Sequence, residues 1–307
     1  MNLGLKQIAV YLPEKRISNL KLKNNFNFDD DFTNNKIGVK ERAIKEKNEK
    51  SSDLCVKAFK NLIKKEIIDT KAIDCCIVVT QNPDYKIPHT SSIVHNKIEL
   101  SDNCACFDIS LGCSGYVYGL SNIISFMKFN NLKNGLLFTA DPYSDIIDIN
   151  DRNTAPIFGD AATVSYISEN SKILLKDAIF GTSGKNFQDL ICKDYLYMNG
   201  RSIFNFTATM IPQHIKKLLI KNNLEDFDID KYIFHQGSKY IVDIICKRLK
   251  INKFKVPFDM LNYGNTVSSS IPIILEKEMK NDRLKKCVIS GFGVGLSWGS
   301  AILQFHQ

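Results

Sequence analysis

Nine cysteines are scattered through the 307 residues, and Cys113 differs from the rest in its setting. In Phe107–Leu120, FDISLGCSGYVYGL, an apolar run ends, Gly112, Ser114 and Gly115 surround Cys113, and an apolar-periodic segment begins. A thiol at a strand-to-helix turn lies beside the free N–H groups and positive end of the helix, which favour thiolate. The small neighbours let the backbone turn sharply and let a substrate approach. The same residue types also suit a small buried cysteine at a tight crossing. Cys113 alone therefore leaves nucleophile and packing residue both open. The other eight lack this setting: Cys75 and Cys76 lie in a strand pattern, Cys55 and Cys246 on helical faces.

A nucleophilic cysteine needs a partner to manage protons or charge. The chain has five histidines. His235 ends the strand-like KYIF and opens the turn HQGS. We read this as the equivalent place in a second half of the chain, so that His235 faces Cys113 across a pseudo-twofold axis. His89, His95, His214 and His306 read as ordinary strand-end or helix residues. A third polar group stands in YGNTVSSSIP, where Asn265 follows Gly264. By itself a Gly-Asn pair is a turn that tolerates positive φ.

These three residues require elements to hold them. KQIAVYLP reads as a strand stopped by Pro13, and Ser52 as the N-cap of a helix bearing Leu54, Ala58, Leu62 and Ile63. AIDCCIVVT and NCACFDIS are short apolar runs, suited to strands buried on both faces. VYGLSNIISFMKF is helical, with Val117, Leu120, Ile124 and Met127 on one side. GLLFTAD and AATVSYIS are strands. IPQHIKKLLIKNN is a helix, KYIFHQGSKYIVDIICKRL strand, turn and helix, and KKCVISGFGVGLSWGSAILQF a terminal hairpin. The alternation predicts a mixed α/β fold. It also suggests two similar halves, 1–168 and 169–307, fused without a low-complexity linker.

Hydrophobic content of 44% and charged content of 24% are those of a globular protein. No apolar stretch approaches the roughly 20 residues that span a bilayer, and the N-terminus does not read as a signal peptide. The expectation is a cytoplasmic protein with reduced thiols. The cysteines show neither CxxC nor zinc spacing, so no metal is implied. The +8 charge is spread along the chain without a nucleic-acid motif. It reads as a solvated surface unless a phosphate- or carboxylate-rich partner uses it.

Taken in order, DISLGCSGYVYGL, FHQGS, YGNTVSSSIP and GFGVGLSWGSAIL resemble the β-ketoacyl-acyl carrier protein synthase III family of the thiolase-like superfamily. YLPEKRISN, IGVKERAI at 37–44, DRNTAPIFGDAA at 151–162 and MNGRSIFNF at 198–206 extend the likeness over nearly the whole chain. Within the superfamily, elongating synthases resemble Cys-His-His, and thiolases use a second cysteine near the C-terminus. Here YGNT supplies Asn265, and GFGVG carries no cysteine.

The resemblance implies a thiolase-like α/β fold of two pseudo-repeated halves in a five-layered αβαβα core. It implies a Cys113, His235 and Asn265 triad, with the N–H groups of Cys113 and Val294 as oxyanion donors. Acyl-CoA would load Cys113, and malonyl-acyl carrier protein would then condense with loss of CO2, without metal or redox cofactor. His235 and Asn265 would act mainly after acylation, since a thiolate at a helix start is already activated. By the same resemblance Phe32, Lys36, Arg152 and Ser238 line the CoA entrance, Lys247 and Arg248 contact the carrier protein, and Ile87 shapes the acyl pocket across a homodimer. A solvated helix end accounts equally well for Lys247 and Arg248. HQGS for the family's frequent HQAN, Phe32 for its tryptophan and Ile87 for its phenylalanine leave the acyl group and pathway open. They also leave two other readings: acyl transfer to an amine or hydroxyl, and a non-catalytic scaffold subunit.

Overall fold

The computed structural model describes residues 2–306. Nine strands form one mixed sheet: β1 (Leu3–Tyr11), β2 (Cys75–Val79), β3 (Ala105–Ile109), β4 (Asn134–Ala140), β5 (Ala162–Glu169), β6 (Ile173–Thr182), β7 (Lys231–Phe234), β8 (Lys286–Gly293) and β9 (Ser297–Phe305). Their order across the sheet is β7-β8-β9-β6-β1-β5-β4-β2-β3. All five residues of β2 are buried, so CCIVV does read as a strand covered on both faces.

The longer helices are α1 (Ser51–Leu62), α2 (Thr90–Lys97), α3 (Gly115–Phe129), α4 (Gly200–Lys221), α5 (Lys239–Leu249) and α6 (Ser270–Glu278). Their apolar faces divide the core into layers. Leu54, Ala58 and Leu62 of α1 and Val94 of α2 pack on Cys76, Val78, Phe138 and Val164. Val117, Leu120, Ile124 and Met127 of α3 join Ile271, Ile274 and Leu275 of α6 in a central layer. That layer touches Ile77 and Leu137 on one side and Ile289, Ala301 and Leu303 on the other. Ile211, Ile215 and Leu218 of α4 and Val242 and Ile245 of α5 cover Tyr232, Phe234, Val288 and Ile302 from outside. The sequence is helix, sheet, helix, sheet, helix, the five layers expected. The two wings of the sheet meet at β1 and β6, through the pair Leu5 and Ile173.

The wings share a strand pattern. β2 is parallel to β4, which is antiparallel to β5, which is antiparallel to β1. Likewise β7 is parallel to β8, which is antiparallel to β9, which is antiparallel to β6. This correspondence corrects one expectation. His235 follows β7, whose counterpart is β2, so its equivalent is the turn at Thr80 and Gln81. The counterpart of the Cys113 turn, ahead of α3, is the turn ahead of α6. His235 and Cys113 are thus not related positions.

Two helix starts also differ from expectation. Ser52 does not cap α1: the helix begins at Ser51, and the Ser52 N–H and hydroxyl both bond Asp84, at 2.9 and 2.6 Å. Asp53 instead accepts the N–H of Lys50. α4 begins eleven residues before Ile211, capped by Asn199 on the Ser202 N–H, and runs through Pro212. Pro212 deletes one helical donor, yet it is buried with Ile211 and Ile215 on the face that packs on the sheet.

Candidate active site

Cys113 stands between β3 and α3 and is 6% exposed. Glycines make room for it. A Cβ on Gly293 would lie 2.8 Å from the Cys113 Sγ, and one on Gly291 2.6 Å from the Cys113 carbonyl oxygen. A Cβ on Gly112 would lie 2.4 Å from Gln81 Oε1, and one on Gly115 2.4 Å from Val79 Cγ1. The backbone N–H groups of Val294 and of Cys113 itself lie close enough to Sγ to favour the thiolate. Burial outweighs them, and with the nearby Asp141 carboxylate pushes the thiol up to about 12. The thiol is therefore not a preformed thiolate, contrary to the expectation drawn from its helix-start position. Desolvation by the surrounding layers exceeds the help from two N–H groups.

His235 and Asn265 are held by one short turn. Asn265 is tied to the other wing, its N–H to Ile157 O at 2.8 Å and its carbonyl to Gly159 N at 3.0 Å. Its side-chain Oδ1 accepts the Val267 N–H at 2.9 Å, which leaves the amide NH2 for the cavity. Gly264 has φ of 82° and Val267 φ of 53°. A β-branched residue in the left-handed region costs about 1–3 kcal/mol and persists where its surroundings hold it. Ser270, at the start of α6, lies 2.8 Å from His235 Nδ1 and 3.0 Å from Val267 O. Its hydroxyl can accept from Nδ1–H while donating to Val267, or donate to a bare Nδ1. Either tautomer of His235 is thus accommodated. Burial lowers His235 to about 3, so the imidazole is neutral near pH 7.

A cavity of about 550 Å³ joins these groups. Cys113, His235, Asn265, Phe292 and Gly293 line its floor, and Tyr143, Ile157, Phe158, Leu190, Met198 and Ile203 its apolar wall. Phe32, Lys36, Arg152 and Ser238 also line it, with Lys36 and Arg152 exposed. Val294 packs on the cluster around Cys113. The mouth departs from expectation in its stacking. Phe32 stacks on Phe28 at 4.1 Å, and the Arg152 guanidinium lies over Phe28, 5.2 Å from its centroid. Tyr240 stacks on Phe204 at 5.2 Å, and both line the cavity.

Lys247, Arg248 and Ile87, expected to meet a carrier protein or a second chain, lie outside the cavity. Lys247 and Arg248 are exposed in the last turn of α5, whereas Ser238 caps its first turn through Ile241 N. Ile87 is 87% exposed and does not line the cavity of its own chain.

Sequence reasoning missed Phe28, Tyr143, Phe204, Tyr240, Ser268, Ser270 and Asp141. Tyr143 donates to Gln81 Oε1 at 2.9 Å beside Gly112. The run of serines in NTVSSS was the signal for Ser268 and Ser270, since three small hydroxyl residues at a helix start have backbone and side-chain partners to find. Among the described residues, no group of three or more His, Cys, Asp or Glu is arranged to hold a metal, and no helix is long and apolar enough to cross a membrane.

This geometry occurs within a recognisable sequence. Residues 107–184 match the family described as 3-oxoacyl-[acyl-carrier-protein] synthase III, and residues 219–305 match its C-terminal part. The β-ketoacyl-[acyl-carrier-protein] synthase III of Lactococcus lactis subsp. cremoris is 33% identical over 321 residues, covering 98% of each chain. A 2.1 Å crystal structure of a 3-oxoacyl-(acyl-carrier-protein) synthase III superposes with a TM-score of 0.93 at 28% identity, covering 99% of this chain and 100% of that one. The Thermus thermophilus β-ketoacyl-[acyl carrier protein] synthase III gives 0.92 at 27% identity, covering 98% and 99%.

Proposed function

The chain belongs to the 3-oxoacyl-[acyl-carrier-protein] synthase III family, and from that premise we propose that it condenses an acyl-CoA with malonyl-acyl carrier protein through an acyl-Cys113 intermediate. It is a transferase. The observation that carries the residue assignment is one cavity lined by Cys113, a neutral His235 and an Asn265 whose Oδ1 is already occupied.

In the first step Cys113 attacks the thioester carbonyl. The N–H groups of Cys113 and Val294, both near Sγ in the resting site, suit the oxyanion. The thiol proton must leave during attack, because the free thiolate is scarce at pH 7. His235, neutral with Nδ1 toward Ser270, takes the proton as an imidazolium–thiolate pair forms. Each charge stabilises the other and closes the gap between an imidazole lowered to about 3 and a thiol raised to about 12. The imidazolium then returns the proton to the departing CoA sulfur. In the second step the malonyl carboxylate leaves as CO2 and the enolate oxygen needs donors. Between the two steps the imidazole loses its Nδ1 proton and gains one on Nε2 by exchange with solvent that enters as CoA leaves. Ser270 then donates to Nδ1, and Nε2–H faces the enolate beside the Asn265 NH2. The enolate carbon attacks the acyl-cysteine carbonyl and releases a 3-oxoacyl thioester and the Cys113 thiolate, which takes up a proton from solvent to restore the resting thiol.

Phe32, Lys36, Arg152 and Ser238 at the mouth suit the CoA nucleotide and phosphates. Lys247 and Arg248 suit an acidic carrier docking about 16 Å from the mouth, the length of α5. Tyr85 and Ile87 on an exposed loop suit a homodimer in which Ile87 walls the neighbour's acyl pocket. We divide the chain into halves 1–168 and 169–307, a reading supported by the repeated strand pattern. The nine free thiols fit a reducing compartment such as the cytosol.

The test is intact-mass analysis with short acyl-CoAs, followed by malonyl carrier protein. An acyl adduct on Cys113, discharged as a 3-oxoacyl carrier protein with release of CO2, is expected. Discharge to an amine or hydroxyl without decarboxylation would replace condensation by simple acyl transfer. Absence of any adduct would favour a scaffold role.

A further inference from the structure

Asp141 follows β4 and is fully buried, yet the condensation chemistry does not use it. Its Oδ1 accepts the Gln81 N–H at 2.7 Å, and it accepts both the hydroxyl and the backbone N–H of Ser268. Two residues earlier, Thr139 Oγ1 lies 2.8 Å from Ser269 Oγ and 2.6 Å from Thr163 Oγ1. The exit of β4 thus grips Ser268 and Ser269, in the turn that fixes Asn265 through Val267 and His235 through Ser270. On its other side, Gln81 bonds Tyr143 and abuts Gly112, beside Cys113.

We propose that Asp141 is a positioning residue: its carboxylate fixes the Asn265–Ser270 turn against the Cys113 turn, and so sets where His235 and Asn265 stand relative to the sulfur. The proposal rests on Cys113 being the nucleophile. Burial raises Asp141 to about 6, and its charge contributes to the elevation of Cys113. Tyr143 and Cys55, the other titratable groups that feel this charge, are raised as well. The charge therefore opposes acylation while the hydrogen bonds support condensation. A residue that merely filled space would not separate the two.

Asp141→Asn keeps the size and removes the charge. The pH profile of Cys113 alkylation by iodoacetamide, located by peptide mass, is expected to move to lower pH, with alkylation at pH 7.5 faster by about threefold or more. Malonyl decarboxylation is expected to fall by about tenfold or more. Ser268→Ala removes a donor that also helps keep Asp141 ionised. Decarboxylation should fall, while the alkylation profile above about pH 9, where the carboxylate is charged in both proteins, stays in place. An unmoved profile in Asp141→Asn overturns the placement of the carboxylate beside the Cys113 turn, and unchanged decarboxylation in Ser268→Ala overturns the positioning effect. Should Asp141→Asn fail to fold, the Ser268→Ala result still decides the positioning effect. The wild type reports on the premise separately: if its Cys113 takes an alkyl group but no acyl group, the nucleophile assignment fails, whatever the variants do.

Discussion

Gly293 and Cys113 touch so closely that no side chain fits between them: a Cβ on Gly293 would meet both the Cβ and the Sγ of Cys113 at 2.8 Å. Gly293→Ala must therefore displace the sulfur or the loop that carries the Val294 N–H. Misplacement of a reacting atom by about 1 Å costs on the order of 10²-fold in rate. Acyl-adduct formation should slow by about that factor while the thermal midpoint moves little. Stopped-flow or quench-flow mass measurements against the wild type check this, and an unchanged acylation rate would contradict the packing argument.

Cys113→Ser should abolish the acyl mass adduct. The serine hydroxyl is a far weaker acid than a thiol and gains nothing from two N–H groups that cannot offset burial of a thiolate. Peptide mapping after incubation with acyl-CoA locates the adduct. An adduct persisting on another of the nine cysteines would reassign the nucleophile.

The two partners should separate by step. On the proposed scheme Asn265→Ala removes an amide donor to the enolate, so malonyl decarboxylation should fall by about 10²–10³ with acylation close to wild type. On the same scheme His235→Ala removes the proton carrier as well, so both steps should fall, by about 10²–10⁴. Single-turnover acylation and 14CO2 release measure the two separately. Normal acylation in His235→Ala would return the enzyme to the simpler scheme of a preformed thiolate.

The pH behaviour follows from burial. With the thiol pushed up to about 12, Cys113 alkylation should keep rising through pH 10 without the plateau of an ordinary thiol. His235, lowered to about 3, should show no imidazole titration by NMR between pH 8 and 5. An unfolded histidine binds a proton near 6.5, so the unfolded state takes up more protons below that value. His235 therefore lowers stability as pH falls from 6.5 toward 3. Asp141, raised to about 6, acts with the opposite sign between 6 and 3.8. Melts of wild type and His235→Ala should diverge below pH 6.5, with the wild type losing more; parallel curves would rule out a buried neutral imidazole.

Ile87 is exposed in one chain on a loop that also exposes Tyr85. Light scattering should give a dimer. Ile87→Phe should shift acyl-CoA preference by about 1–3 kcal/mol per methylene-sized mismatch without changing Cys113 alkylation by a small reagent. A monomer, or an unchanged acyl profile, would exclude a pocket wall supplied across the interface.

The sequence by itself determined the parts that depend on neighbours in the chain. Cys113 announced itself by flanking glycines, β2 by an unbroken apolar run, and Asn265 by the glycine before it. His235 was found at a strand end, although its supposed equivalence to Cys113 failed once strand order was known. Tertiary structure decided what depends on distant neighbours. Asp141 and Ser268 are 127 residues apart, and neither position stands out locally. Phe204 and Tyr240 line the cavity as a stacked pair, and Phe28 supports Phe32 and Arg152 from beneath, only because distant segments pack together. The protonation state of Cys113 is the clearest case. A helix start favours thiolate, and that much is local. Five packed layers remove water from the sulfur, and Asp141 arrives from another strand. Desolvation and charge act through space, so the chain order around Cys113 could not reveal that its proton stays on.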